Sequence, residues 1–585
     1  MPRPDIVFYE FGPFRLDMQR YLLVRDNEPL HLSPKALKTL LVLIENRDRV
    51  VRKDELLKWI WPDAHVEESN LAQNIFVIRK ALAEENNDRY ILTIPGTGYR
   101  FVGLVTEQAA APLQSFRDPS NEESRLAQVG TLIAVLPLKC LSTSTDEFLG
   151  LGLADALITR LSHIKQIKVR PTSSVLRYRE TRDDLVTVGH ELNVDALLDG
   201  TFQRVGDQIR VSVQFVRVSD GITLWAAIFD ERFTNIFSIQ DTISEQVAGA
   251  LAVKISGEEQ RQLQKHYTAN SDAFQHFVRG RYFWNQRTME GLRKSMACAE
   301  QAIAADPTYA RAYVGLADSY NLLAGHGGLA PKETFPKARA AAKIALEIDP
   351  NLAEAYASLG FINYRFDWQF CEAEENFKRA IELKPNYSTA HHWYGEALAS
   401  AGRFEESLNA LQRSQDFDPL SIPISTDLAQ TLYFARRYEE CEAQLRKTLE
   451  MDPQFIRAHI VLGTTLEQLH RYDEALASLQ LAVELSKNNS FAVSRLGNLY
   501  ALMGRKREAQ EILRFLKKRS NEYYASPYDI AVVYAGLGDK ENVLMHLQAA
   551  VEVRDVWLVW LQVTPRFEFL RKDPRFVALM EHFRS

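Results

Sequence analysis

The 585-residue sequence predicts a multidomain α+β chain: a small mixed module at the amino end, an α/β middle domain, then an all-α superhelix of paired helices. Three observations carry that reading. Small residues and turn residues recur every 34 positions from residue 395 onward. An amphipathic helix and a glycine-tipped hairpin stand next to each other within residues 67–102. Between these regions, strand and helix patterns alternate over residues 130–257. A chain of this length exceeds what one core can organise.

Composition narrows the class. Net charge is −6, with 46% hydrophobic and 25% charged residues, which is ordinary for soluble globular protein and argues against a generally basic surface coat. No apolar run approaches the roughly 18 residues that span a bilayer, so no membrane partner is expected, and Thr131–Leu138 suits a buried strand instead. Met1-Pro-Arg-Pro-Asp5 is not followed by the apolar core of a signal peptide. Cys140, Cys298, Cys371 and Cys441 show no paired spacing, which predicts reduced thiols in a cytoplasm, with no metal site and no cofactor.

The first domain is read as residues 1–105. Ile6–Leu16 alternates as strands do, and Tyr21–Val24 and Leu30–Leu32 flank a turn at Asp26-Asn27. Ser33 is placed to cap a helix that opens with Pro34, with Leu37, Leu40, Leu41 and Ile44 on one apolar face. A second helix, Lys53–Trp61, stops at Pro62. A third covers residues 67–84. At 100° per residue, Leu71, Ile75, Ile78 and Leu82 fall within about 60° of one another and form its buried stripe. The opposite face carries Gln73, Phe76, Val77 and Lys80, flanked by Asn70 and Asn74.

Two large apolar residues beside amides and a cation are odd on a solvated face. They suit base edges in a DNA groove: Gln and Asn pair with adenine, while Phe and Val touch thymine methyls. The competing reading packs Phe76 and Val77 on another domain. A hairpin follows, Ile91–Ile94 and Tyr99–Val102 around a Pro95-Gly-Thr-Gly98 tip. Its glycines are expected at positive φ, with Thr97, Tyr99 and Arg100 reaching phosphates. Residues 1–105 hold 15 Lys/Arg and 15 Asp/Glu, so affinity for DNA has to come from local placement of charge.

Leu32-Ser-Pro-Lys-Ala-Leu37, Val50-Val-Arg-Lys-Asp-Glu-Leu-Leu57, Asn74-Ile-Phe-Val-Ile-Arg-Lys-Ala-Leu82 and Pro95-Gly-Thr-Gly-Tyr-Arg-Phe101 resemble the OmpR/PhoB-type winged-helix effector domain, in its CadC/ToxR-like form. The resemblance covers nearly all of residues 5–105. It implies a winged helix-turn-helix whose recognition helix is 67–84, with double-stranded DNA as partner. It also implies that the Trp59–Val66 turn touches RNA polymerase or a neighbouring protomer. Relatives that carry arginines on the base-facing side have Phe76 and Val77 here, so base preference does not transfer. No receiver domain precedes the module and no membrane helix follows it, which sets aside a phosphorelay input and a membrane-sensor arrangement.

Residues 106–129, with Glu107-Gln-Ala-Ala-Ala-Pro112 and Arg117-Asp-Pro-Ser-Asn-Glu-Glu-Ser124, read as a linker. The middle domain, 130–257, offers strands at Thr131–Leu138 and Ile167–Arg170 and helices at Glu147–Ile164 and Leu185–Leu192. A hairpin-rich sheet follows at Ala196–Gln203, Gln208–Val218 and Thr223–Phe229, then a helix at Ile236–Ile255. Ile133-Ala-Val-Leu-Pro-Leu138, Leu197-Leu-Asp-Gly-Thr-Phe202 and Leu224-Trp-Ala226 resemble the TolB amino-terminal-like domain.

From 270 to 585 the pattern is helical. Gly395, Ala429, Gly463, Gly497 and Ala531 are 34 apart, as are the turn positions Gly402, Arg436, His470, Gly504 and Gly538. Prolines at 307, 350, 385, 419 and 453 settle to the same step. Thirty-four residues make two helices and their turns, and small facing residues let the pair approach closely. His459, Leu462, Gly463, Leu466, Tyr472, Ala475, Leu479 and Ala482 match the tetratricopeptide pattern, which the region resembles. The resemblance implies a groove for a protein or peptide partner. The tail Phe567–Phe576 is expected to cap the last repeat.

Catalytic motifs are weak. Gly150-Leu-Gly152 lacks the third glycine of a dinucleotide loop, and His190-Glu191 lacks the second histidine of a zinc helix. No phosphate-binding loop or nucleophile elbow occurs. The reading is a non-enzymatic, one-component, sequence-specific DNA-binding transcriptional regulator, with the repeats as input or assembly module and scope for a homo-oligomer on paired half-sites. Its rival is a tetratricopeptide scaffold whose winged helix binds protein. An accessory chain of a cyclase system, a third reading, lacks any cyclase domain.

Overall fold

The computed structural model describes residues 6–17, 22–25, 28–30, 34–60, 68–82, 90–94, 97–103, 105–109, 131–141, 147–162, 164, 166–179, 184–233, 236–251, 268–325, 329–519 and 526–583. They fall into two compact units, Met1–Glu123 and Ser124–Ser585.

The first unit runs β1 (Ile6–Phe11), β2 (Phe14–Asp17), β3 (Leu22–Arg25), β4 (Glu28–Leu30), α1 (Pro34–Glu45), β5 (Val51–Arg52), α2 (Lys53–Ile60), α3 (Glu68–Ala81), β6 (Ile91–Ile94), β7 (Gly98–Phe101) and β8 (Thr106–Ala109). One antiparallel sheet has the order β4-β3-β2-β1-β8, and a second β5-β7-β6. The linker expected from residue 106 therefore begins later. Glu10 pairs with Thr106 and Tyr9 with Glu107, because the returning strand covers the free edge of β1. Tyr9, Phe11, Phe14 and Leu16 are buried in one core with α1, whose Leu37, Leu40, Leu41 and Ile44 are all buried as the periodicity predicts. Phe11 meets Phe101 edge-on at 5.2 Å between ring centroids, joining the two sheets. Ser33, the expected cap of α1, lies outside the described residues.

In the second unit, β9 (Thr131–Val135), β10 (Lys139–Cys140), α4 (Glu147–Leu161), β11 (Ile167–Val169), α5 (Leu185–Glu191), β12 (Ala196–Val205), β13 (Gln208–Arg217), β14 (Thr223–Arg232) and α6 (Ile236–Ala250) follow the predicted order. The sheet is β11-β9-β12-β13-β14, with β10 beside β12. Its first three strands are parallel and its last three antiparallel. The glycine pair in α4 serves packing. A Cβ at Gly150 would meet the Leu138 carbonyl oxygen at 1.9 Å, and one at Gly152 would meet Val278 at 2.6 Å.

Gly152 thereby lets α4 press against the first array helix, Ser271–Asn285. Phe274, Phe277 and Tyr309 join the core of the middle domain. Residues 130–257 and 270–585, read from the sequence as separate domains, thus share one core.

Helix pairs then repeat: Ser388–Ser400 with Phe404–Phe417, Ile422–Phe434 with Tyr438–Met451, Ile456–Gln468 with Tyr472–Leu485, Ser490–Leu502 with Lys506–Arg519, and Pro527–Gly536 with Lys540–Glu552. All five predicted turn positions adopt left-handed backbone: Gly402 at φ 78°, Arg436 at 64°, His470 at 57°, Gly504 at 76° and Gly538 at 72°. At each, the next residue's N–H reaches back five positions, as Arg403 does to the Leu398 carbonyl and Arg437 to that of Leu432. This is the Schellman closure of a helix end. A Cβ at Gly395 would stand 2.6 Å from Leu411, and one at Gly463 2.5 Å from Leu479, so the small residues set the spacing within each pair.

The period reaches one repeat further back than the glycines show. Trp368, 34 positions before Gly402, is also left-handed at φ 63°. Its packing glycine, Gly360 against Phe377, lies 35 before Gly395. A π-turn at Asn363–Asp367 takes up the extra residue. No helix among the described residues is long and apolar enough to cross a membrane.

Candidate nucleic-acid interface and repeat groove

α3 buries Leu71, Ile75, Ile78 and Leu82, the predicted stripe, against α1 and the second sheet. On the far side Phe76 is 62% exposed. Val77 is half-buried and leans on the core, so the apolar pair read from the sequence divides. Asn74 Nδ2 donates to Thr39 Oγ1 at 3.3 Å, tying α3 to α1; among the described residues this uses one of its two amide protons. The side chains of Asn70, Gln73 and Lys80 lie outside what the structure describes; α3 includes all three positions.

The hairpin pairs Ile94 with Gly98, Thr93 with Tyr99, Leu92 with Arg100 and Ile91 with Phe101. Thr97 and Arg100 are exposed, as expected. Tyr99 is not; it is 7% exposed and sits in the core. Alternation along β7 turns Tyr99 and Phe101 inward and Arg100 outward, so the phosphate role read for Tyr99 is withdrawn. Gly98 also has a different reason from the one expected. It is absent from the positive-φ residues, and a Cβ there would meet the Val51 carbonyl oxygen at 2.0 Å. It is glycine because β5 lies against it. Pro95 and Gly96 of the tip lie outside the described residues.

Two anchors hold this surface. Arg100 Nε donates to the Arg47 carbonyl at 3.2 Å. Arg79 Nη2 donates to the Ile91 carbonyl at 2.7 Å and to Thr93 Oγ1 at 2.8 Å. Arg79, to which the sequence reading assigned no role, thus fastens the end of α3 to the wing. Its place two residues before Ala81 and its spacing to Thr93 give no period that would have shown it.

In the array, the first helix of each pair lines one face, and the chain's own tail covers that face. Trp557 stacks on Phe491 at 4.2 Å and Trp560 on Phe434 at 4.8 Å. Arg566 pairs with Glu467 at 3.5 Å, and Phe567 meets Tyr528 at 5.7 Å. Further back, Gln562 donates to the Ser400 carbonyl, Arg365 donates to that of Val556 at 3.3 Å, and Phe583 contacts Trp368 at 4.8 Å. The tail therefore does more than cap the last repeat. It folds back over the face where a bound peptide was expected, because its aromatic residues find partners there that a terminal cap would lack.

Beneath the tail, His392 Nε2 lies 2.7 Å from Asp427 and 3.6 Å from Glu396. These three could face a metal ion. Arg457 and Arg365 already pair with the two carboxylates. Burial pushes Asp427 up, but Arg457 and His392 outweigh it and hold the carboxyl far below its usual range. The trio reads as a buried ion network.

Residues 27–101 match the family described as "Transcriptional regulatory protein, C terminal". Residues 129–246 match "HilA/YgeH-like transcriptional regulator, second domain", where the sequence phrases had indicated a TolB-like domain. Residues 369–422 and 426–490 match "Tetratricopeptide repeat". The chain is 26% identical over 417 residues to the transcriptional regulator HilA of Salmonella typhi, covering 70% of each chain. It is 33% identical over 93 residues to the phosphate regulon transcriptional regulatory protein PhoB of Escherichia coli, covering 16% of this chain and 41% of that one. The solved DNA-binding domain of E. coli CadC aligns with TM-score 0.17 at 24% identity, covering 18% of this chain and 99% of that one. The chain is a DNA-binding transcriptional regulator similar to HilA, in which a region matching the OmpR/PhoB-type winged helix, a region matching the HilA/YgeH second domain and a tetratricopeptide array follow one another.

Proposed function

We propose that this regulator reads double-stranded DNA with the exposed face of α3 in the major groove and holds phosphates with Thr97 and Arg100 of the wing. The observation that carries the reading is Phe76, 62% exposed on a helix whose other face is wholly buried, beside a wing that Arg79 locks to it. An exposed aromatic there gains by meeting thymine methyls. Gln73 and Asn74 then select bases, with Lys80 on the same face and Asn70 beside it, while Val77 packs toward the core. The regulator acts in the cytoplasm, on paired half-sites, with the surface before α3 meeting RNA polymerase. A protein partner engages the repeats; to reach their first-helix face it displaces residues 555–583.

Titration of the full chain against genomic DNA fragments at several salt concentrations tests this. Arg100→Ala should weaken all sequences alike and reduce the salt slope by about 0.9. Gln73→Ala or Asn74→Ala should change which sequences win, by about 1–3 kcal/mol. A flat salt dependence with no enriched fragment favours the second reading, a scaffold whose Phe76 docks on protein. The neutral balance of residues 1–105 supports that alternative.

A further inference from the structure

A cavity of about 250 Å³ lies between the middle domain and the inner wall of the array, with Asp155 and Thr172 on one side and Trp284, Arg287, Asp318 and Tyr387 on the other. It holds the liquid volume of about eight waters, the size of a small metabolite. Its charges pair off unevenly. Arg311 is 3.6 Å from Asp155, Lys384 3.0 Å from Glu354, and Arg281 4.0 Å from Asp318. Asp418 is held by Ser173 and Ser174.

Arg287 is left over. Its guanidinium lies 3.6 Å above the Trp284 ring, which Arg281 also approaches at 4.6 Å. It makes no side-chain hydrogen bond or ion pair among the described residues. Burial and the neighbouring Arg281 charge push it down to about 10, against the opposing pull of Asp318, Glu396 and Asp427, none of which bonds it directly. Trp284 Nε1, buried on the same wall, also has no acceptor. The acceptors without a hydrogen bond are Asn386 Oδ1 and Asp318 Oδ2, the latter reached by Arg281 only at 4.0 Å, beyond hydrogen-bonding distance. Two donors and two acceptors, around one unmatched positive charge, await a complement.

We propose that this cavity binds a small organic carboxylate that also carries a hydrogen-bond donor, a 2-hydroxy or 2-amino acid. Its carboxylate takes the guanidinium of Arg287 and the indole N–H of Trp284, and its hydroxyl or ammonium donates toward Asp318 and Asn386. A plain carboxylate leaves both acceptors unmet, and phosphate does so too while bringing excess charge. Because the walls come from both the middle domain and the array, occupancy is felt by both. The site stands independently of the DNA reading.

Thermal unfolding and calorimetric titration of the full chain test the proposal, using lactate and glycerate, alanine and serine, propionate, and inorganic phosphate. A hydroxy or amino acid should raise Tm saturably by about 2 °C or more. Propionate should bind at least about tenfold more weakly, and the two acid classes separate in the same panel. Arg287→Gln should abolish the response. Without ligand it should melt no lower than the parent, since it removes an unmatched cation. Arg287→Lys, which keeps the charge and loses the bidentate fork, should retain a weakened response. The proposal is overturned if no panel member shifts Tm, if propionate or phosphate matches the best acid, or if Arg287→Gln responds like the parent.

Discussion

The indole of Trp560 lies flat on the ring of Phe434, 4.8 Å between centroids and 17° between planes, although 126 residues of chain separate them. Both side chains are buried, and the pairing closes the tail onto the face of the array that faces inward.

Trp560→Ala should release that closure. Truncating a buried indole costs about 3–5 kcal/mol, most of it local to the tail. Amide exchange should accelerate across residues 556–576 and on the Ile422–Phe434 helix, while Met289–Ala305 stays as protected as in the parent. Unchanged exchange in the tail would refute docking through this stack.

Arg79→Met should loosen the wing without unfolding the module. It removes two hydrogen bonds, to the Ile91 carbonyl and Thr93 Oγ1, worth together about 1–3 kcal/mol. Affinity for DNA should fall by a similar factor for every fragment, because the wing positions and does not select. A change in the order of preferred fragments would contradict that role.

Gly98→Ala should be among the most damaging single-atom-scale changes in the first unit. The added carbon would enter the Val51 carbonyl oxygen at 2.0 Å, so β5 must separate from β7. Destabilisation of about 2–4 kcal/mol is expected by circular dichroism of thermal unfolding, whereas Thr97→Gly, at an exposed position, should change stability little.

Asp555 gives a pH signature. It is fully buried at the start of the tail, accepting hydrogen bonds from Ser526 Oγ and, at 3.1 Å, from the Trp557 amide. Burial pushes its carboxyl up to about 6 from 3.8. The folded chain therefore keeps a proton that the unfolded chain releases. That stability is present below about pH 4 and lost as pH rises through about 6, up to about 3 kcal/mol in all. Asp318, raised to about 6 by its own burial, adds a slope of the same sign. Asp555→Asn should reduce the fall in Tm between pH 4 and 7 and leave the variant at least as stable as the parent at pH 7. An unchanged slope would place the titration elsewhere.

How much was legible in the sequence follows from the range of the interactions involved. Local rules determined the elements. A 3.6-residue period marks the stripe of α3, a two-residue glycine turn marks the hairpin of β12 and β13, and a fixed 34-residue step marks five positions whose φ is positive, including Arg436 and His470, which are not glycine. These signals are legible because each is set by neighbours within a turn or two of chain. Even the seeming exception, Trp368, keeps the period and was obscured only by one extra residue in a π-turn.

Contacts between distant segments were decided by the tertiary structure alone. Tyr99 faces inward because β5 and β6 flank its strand, and Gly98 is small because Val51 lies against it. Arg79 reaches a wing carbonyl 12 residues on, Arg287 comes to rest on the Trp284 ring beside a cavity walled by both regions, and the tail returns across five repeats to cover their inner face. None of these has a period, because each depends on which surfaces come together once the local elements have formed. The helix-and-wing module and the repeats were therefore open to reading from residues alone, whereas the occupant of the repeat face and the unmatched charge behind it emerged only from the folded chain.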